Sequence, residues 1–218
     1  MTSSEMADTL DAGAARAWVE AFADAFDQRR DELNELDRRS GDGDFGTNLH
    51  GALLRTREKL AAGDVVTVRD VFGAASSAFL AAGGTSGPLF GMWFKELARA
   101  AVAPEEMGVE ALATAFSAGA RTVQAMGKSQ VGDSTMVDAM VPAAAAIQLA
   151  AEEGRSLADA LSAAAAAAAA GAESTVNLVA RRGRASYVGE LGRGVLDPGA
   201  AAVALFFAVA PRSPQGGA

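Results

Sequence analysis

Residues 156–179 read SLADALSAAAAAAAAGAESTVNLV, and their reading decides the fold class. Alanine has the highest helix propensity of any residue, so the run at 163–170 is a helix former rather than idle low complexity. Asp159 and Glu173 at its ends fit that reading, and Ser156 with Asp159 three residues on makes a capping pair. The apolar core of the stretch, 161–172, is too short to span a bilayer, which takes about 20 residues. The spacing therefore predicts a closely packed helix over 156–179.

The same bias extends along the chain. Half of the 218 residues are apolar but only 6% are aromatic, so many helix faces must be lined by small side chains. Working outward, an i, i+4 stripe runs from Ala7 through Leu10, Ala14, Trp18, Phe22 and Phe26. A short helix is predicted over 31–37 and another over 46–60, with Leu49, Leu53, Leu54 and Leu60 inward. Thr67 with Asp70 opens a helix through 82. Further helices are predicted up to about Val102 and over 109–126, 135–151 and 198–210. Residues 181–197 read as loop, and only 65–68 shows alternation. No repeat or interdomain linker interrupts this pattern. The expectation is a single all-α domain over 1–218, of about eight antiparallel helices, with 1–6 and 211–218 as frayed tails.

The composition excludes several function classes. A formal net charge of −8 opposes nucleic acid as a main partner. Without cysteine there is no disulfide, thiolate nucleophile or Cys-ligated zinc. His50 is the single histidine, which disfavours a Ser-His-Asp triad or a His-rich metal site. Residues 1–10 carry Glu5 and Asp8 and do not resemble a secretory signal. A soluble, cytoplasmic protein with no membrane segment is expected. Chemistry must rest on carboxylates, hydroxyls, Lys/Arg and backbone amides, a set suited to phosphate.

Four clusters carry that chemistry. The first is Asp37-Arg38-Arg39-Ser40-Gly41-Asp42-Gly43-Asp44. On a continuous helix Asp42 would lie about 140° from Asp37, but the two glycines favour a tight turn that folds Asp42 and Asp44 back toward Asp37. Three close carboxylates repel unless cations sit among them, and Mg²⁺ takes oxygen ligands that it shares with water and phosphates. A solvated acidic turn is the alternative; an EF-hand Ca²⁺ loop fails because its later ligands and closing Glu are missing.

The second cluster, Gly83-Gly84-Thr85-Ser86-Gly87-Pro88, places flexible backbone before a helix start, an anion-binding arrangement or an ordinary capped loop. It is not a P-loop, since no Gly-Lys-Ser/Thr follows. The third, Gly127-Lys128 with Gly132-Asp133-Ser134-Thr135-Met136, can close over a ligand with Met136 against a purine, and Asp133 or Ser134 is expected to cap the following helix. The fourth, Gly183-Arg184-Ala185-Ser186-Tyr187 with Asp197-Pro198-Gly199, puts Arg184 in position to meet phosphate.

In this order and spacing the clusters, from about Leu33 to Ala210, resemble the nucleotide-binding L subunit of dihydroxyacetone kinases, equivalent to the C-terminal domain of the single-chain enzymes. The resemblance implies an eight-helix antiparallel barrel with ADP or ATP at one end. Asp37, Asp42 and Asp44 would hold two Mg²⁺ ions and, with Arg184, form the catalytic set. Phe45, Gly46, Thr47, Asn48, Thr85 and Ser86 would flank the phosphates. Gly127, Met136, Arg184, Asp197, Pro198 and Gly199 would complete the nucleotide pocket. Many relatives carry histidine where this chain has Phe45; a side-chain contact to phosphate is lost there, while the backbone N–H remains.

The resemblance also implies partners. A separate sugar-binding K subunit would hold the ketose on a histidine, and with no spare histidine this chain is expected to be incomplete alone. ADP would be a resident coenzyme rephosphorylated by a phosphotransferase-system phosphocarrier. The alternatives are an ATP-dependent triose or tetrose kinase subunit, a non-catalytic ADP–Mg regulatory module, and the nucleotide domain of fatty-acid kinases, which the Gly-Arg-Ala-Ser-Tyr and Asp-Pro-Gly segments disfavour. The sugar is left open, as is a homodimer.

Overall fold

The computed structural model describes residues 9–63, 65–101 and 106–211. The end of one expected helix at Val102 and most of both tails lie outside them, and the first helix, expected from near Ala7 through Leu10, begins only at Ala12 because Leu10 and Asp11 pair as a strand. Nine α-helices are present among the described residues: α1 (Ala12–Gln28), α2 (Arg30–Ser40), α3 (Phe45–Ala61), α4 (Val68–Leu80), α5 (Ser86–Ala100), α6 (Val109–Gly127), α7 (Val137–Glu152), α8 (Leu157–Ser174) and α9 (Pro198–Ala208). The sequence pattern marks nine segments against the round figure of about eight, and each corresponds to one of these helices, α2 included, which restarts after a break at Arg29. No helix among the described residues is long and apolar enough to cross a membrane.

Local chemistry sets the boundaries. Asp11 accepts the Ala14 N–H at 2.7 Å and caps α1. Thr67 and Asp70 form the full reciprocal capping box of α4. Ser156 accepts the Asp159 N–H at 3.2 Å to open α8. Asp197 accepts the Ala200 N–H at 2.7 Å, with Pro198 at the first helical position of α9. The expected strand-like 65–68 is instead extended loop leading into α4. Among the described residues one paired segment joins β1 (Leu10–Asp11) to β2 (Glu106–Met107), antiparallel, with Leu10 opposite Met107.

Each helix from α2 to α8 packs on the next in the chain, and α9 meets α8, α7, α2 and α1. Helix α9 is buried on nearly every side, from Pro198 to Phe207, as its almost wholly apolar sequence requires. Trp18, Val19, Phe22 and Phe26 of α1 are buried in the core, with the Trp18 and Phe22 rings against Phe206 of α9.

Phe206 stacks on Trp18 with ring centroids 4.4 Å apart, and Trp93, Phe94, Phe116 and Phe207 complete an aromatic cluster around the pair. The Trp18 indole N–H donates to the Phe206 carbonyl at 2.8 Å. That carbonyl lies in the last turn of α9, where acceptors lack intrahelical donors; Ala210 N–H bonds Phe207 instead.

Elsewhere the small side chains allow close approach. A Cβ on Gly171 of α8 would sit 2.1 Å from the Asp138 carbonyl of α7. Pro142, four residues after Asp138, has no N–H to engage that carbonyl, so it faces α8.

Trp18→Phe keeps an aromatic ring but leaves the buried Phe206 carbonyl unpaired and a small cavity. It should destabilise the fold by about 2–3 kcal/mol, read from the urea midpoint.

Candidate functional site

The acidic turn is built by the end of α2 and the start of α3. Helix α2 runs three residues further than the sequence predicts, to Ser40, whose hydroxyl donates to the Leu36 carbonyl at 2.9 Å. The chain then doubles back. A Cβ on Gly41 would lie 2.5 Å from Asp37 Oδ1, so a larger residue there would push that carboxylate aside. Gly43 takes the left-handed region at φ 79°. The result brings one carboxylate oxygen from each of Asp37, Asp42 and Asp44 within 4.8 Å of one another, with Asp37 deepest and Asp42 exposed. Such a group can hold a hard divalent cation. Here the neutralising charge is Arg184, whose Nη1 pairs with Asp42 and lies 3.5 Å from Asp44 Oδ1.

Opposite the turn, Gly84 (φ 74°) brings the backbone of the second cluster beside Asn48; a Cβ there would lie 3.2 Å from its side-chain nitrogen. Thr85 precedes α5 without a side-chain cap, and Pro88 falls in the first turn. The third cluster hangs on one buried carboxylate. Asp138 accepts the N–H groups of Gly132 at 2.6 Å and Thr135 at 2.8 Å. Neither Asp133 nor Ser134 caps α7, contrary to expectation: Thr135 Oγ1 accepts the Val137 N–H at 3.2 Å, and Asp133 accepts the Gln130 N–H at 3.0 Å while facing Arg182 at 3.8 Å. In the fourth, two 3-10 turns (Arg184–Tyr187 and Gly189–Gly192) contribute no buried residue. Burial pushes the Asp197 carboxyl up to about 7, the Ala200 amide pulls it down, and Asp138 and Asp37 add repulsion.

All four clusters line one cleft enclosing about 930 Å³, open to solvent. It brings together Asp37, Asp42, Asp44, Phe45, Asn48, Thr85, Ser86, Gly127, Met136, Arg184, Asp197, Pro198 and Gly199. Gly46 and Thr47 do not reach it. Gly46 is buried where a Cβ would lie 2.5 Å from the Arg30 carbonyl, and Thr47 gives its N–H to Asn34 at 3.1 Å and accepts from Asn34 Nδ2 at 3.2 Å. The Phe45 N–H, expected to face a ligand, donates to Asp37 Oδ2 at 3.1 Å. Sequence reasoning missed the apolar wall of Leu49, Leu89 and Val123, and also Ser129 and Arg182. It also missed Asp138, although Thr135 followed three residues later by a carboxylate is a capping signal.

The sequence profile described as the DAK2 domain matches residues 39–210, most of the chain and the whole cleft except Asp37. The chain belongs to the DAK2-domain family. Among its relatives is the ADP-binding subunit DhaL of the PEP-dependent dihydroxyacetone kinase of Escherichia coli K12. The two are 37% identical over 85% of this chain and 89% of the relative. The ADP-binding subunit of the PTS-dependent dihydroxyacetone kinase of Lactococcus lactis is 31% identical over 87% of this chain and 91% of the relative. The crystal structure of the C. freundii dihydroxyacetone kinase with AMP-PNP and Mg²⁺ superposes with a TM-score of 0.66 at 26% identity. It covers 96% of this DAK2-family chain, which spans 36% of that larger chain.

The raised Asp197 value carries a sign. In the metal-free protein this carboxyl stays protonated up to about 7 when folded, but ionises near 4 when unfolded. Its contribution to stability therefore falls as pH rises from about 4 to 7 and stays lost above that. Asp197→Asn, which keeps a capping oxygen, should flatten this fall, measured by urea unfolding in EDTA at several pH values.

Proposed function

We propose that the cleft binds ADP through Mg²⁺, and that the chain is the nucleotide-binding subunit of a dihydroxyacetone-type kinase. It would pass a phosphoryl group to a short ketose held by a separate sugar-binding subunit. The observation that carries this reading is the convergence of three carboxylates, glycine-rich helix starts and an arginine on one cleft. The Escherichia coli and Lactococcus lactis relatives, both named as ADP-binding subunits of dihydroxyacetone kinases, support it.

The residues fit the cation. Asp37, Asp42 and Asp44 offer only oxygen donors, and a guanidinium already lies among them. These three would hold two Mg²⁺ ions, whose charge would neutralise the phosphates. The amides at the start of α5, beside Thr85 and Ser86, would meet the phosphates at the positive end of the helix. Arg184 offers a fork of donors suited to the transferring group. Leu49, Leu89, Val123 and Met136 would form the wall for the purine, and Gly127 and residues 197–199 would close the pocket. Phosphoryl transfer is catalysed largely by positioning and charge neutralisation, so a site without histidine is adequate. The described chain would act as one unit. The relatives named for PEP and for the phosphotransferase system favour a resident ADP recharged by a phosphocarrier over free ATP as donor.

Calorimetry should show tight ADP binding with Mg²⁺ and little in EDTA. Asp42→Ala should cost at least about a hundredfold in affinity, ~2.7 kcal/mol. Metal-independent binding of equal strength would refute the carboxylate roles.

A coenzyme must outlast turnover, so retention calls for a Kd near nanomolar, about −12 kcal/mol, rather than micromolar, about −8 kcal/mol. ADP should therefore survive desalting and be recovered near stoichiometrically after denaturation, by chromatography. Nucleotide-free protein with micromolar affinity for ATP would assign the ATP-dependent mode instead.

A further inference from the structure

Arg184 occupies a place that the proposed function gives to a metal. Its guanidinium pairs with Asp42 and Asp44, two of the three carboxylates of the acidic turn. An octahedral Mg²⁺ needs direct contact with carboxylate oxygens at about 2.0–2.1 Å. A guanidinium lying against the same carboxylates competes with the cation for them.

The segment that carries Arg184 is held at its ends. Arg181 N–H donates to the Asp133 carbonyl at 3.0 Å, and Gly194 N–H to the Val176 carbonyl at 2.8 Å. Between these anchors the two 3-10 turns bury no side chain, and Tyr187 and Leu191 are 91% and 88% exposed. The remaining side-chain bonds of Ser186 and Glu190 stay within residues 183–193. Among the described polar contacts, Arg184 alone ties this segment to the acidic turn.

We propose that Arg184 is the resident counter-cation of the metal-free turn, a latch that holds residues 183–192 over the carboxylates. It gives them up when a divalent cation binds. The latch rests on the reading of Asp37, Asp42 and Asp44 as metal ligands. It offsets part of the charge of the three carboxylates, and it makes metal loading the event that frees Arg184 to meet phosphate. It also sets a cost on metal binding without nucleotide, because the cation must displace a bound charge while no phosphate is there to receive the arginine.

Tyr187 is the chain's single tyrosine, so 3-fluorotyrosine places one ¹⁹F label on the latch. With Mg²⁺ alone as the probe, the label's resonance should shift in the wild type. In Arg184→Gln it should sit near the shifted position before metal is added. Arg184→Gln should also bind Mg²⁺ at least about tenfold more tightly than the wild type. Arg182→Gln is the control: it removes the same charge from the same cleft, but from a side chain that faces Asp133. It should change Mg²⁺ affinity by less than about threefold. An unmoved resonance despite Mg²⁺ binding, or equal tightening in the two variants, overturns the latch. If ADP binding proves independent of Mg²⁺ and no metal binds alone, the metal reading falls and the latch with it. Mg²⁺-dependent ADP binding with an unmoved label removes the latch only.

Discussion

Helices faced with alanine bury little area each, so they gain stability only by approaching closely. The tightest such approach is at Asp138, where the backbone carbonyl meets Gly171 so nearly that no side chain fits between. Pro142 helps by leaving that carbonyl without its usual donor. Asp138 turns its carboxylate the other way, to the amides of Gly132 and Thr135. The α7–α8 contact and one wall of the cleft are thus fixed by opposite ends of one aspartate. Packing and site are not independent, since widening the helix contact would move the loop.

The other wall is governed by charge. Asp37, Asp42 and Asp44 are brought together by a turn in which glycine at position 41 leaves the Asp37 carboxylate its place, and their repulsion is bearable only with a cation among them. Asp37 serves twice, accepting the Phe45 N–H at the start of α3 while facing the cluster. A ligand that draws on this carboxylate therefore touches the helix start as well. An aromatic cluster centred on Trp18, Trp93 and Phe206 fills the interior, where alanine would leave voids.

Most of this was legible in residues that act on near neighbours. Thr67 with Asp70 and Ser156 with Asp159 announced α4 and α8, because a cap is a three-residue affair. The glycines flanking Asp42 announced the acidic turn, and the cleft gathers all four clusters read from the sequence. What was not legible depends on partners far along the chain. Thr47 carries a hydroxyl at a helix start, as a phosphate contact would, yet Asn34 takes both its polar groups. Gly46 looked like ligand-facing backbone but serves the approach of α2. Leu49 reads as an ordinary core position, and nothing sets Leu89 or Val123 apart, since a wall against a ligand and a wall against another helix have the same apolar periodicity. The pairing of Leu10 with Met107 joins two segments with no strand pattern of their own.

The bond from Trp18 to Phe206 spans 188 residues of sequence. On a ribosome adding about 5–20 residues per second, the indole emerges roughly ten to forty seconds before its acceptor exists. Throughout that interval the apolar face of α1 has no α9 to cover it. The nascent chain must carry Trp18, Phe22 and Phe26 with their final partner still unmade, a stage at which a holding chaperone has an obvious handle. Synthesis order, and not only stability, thus sets when the interior can close.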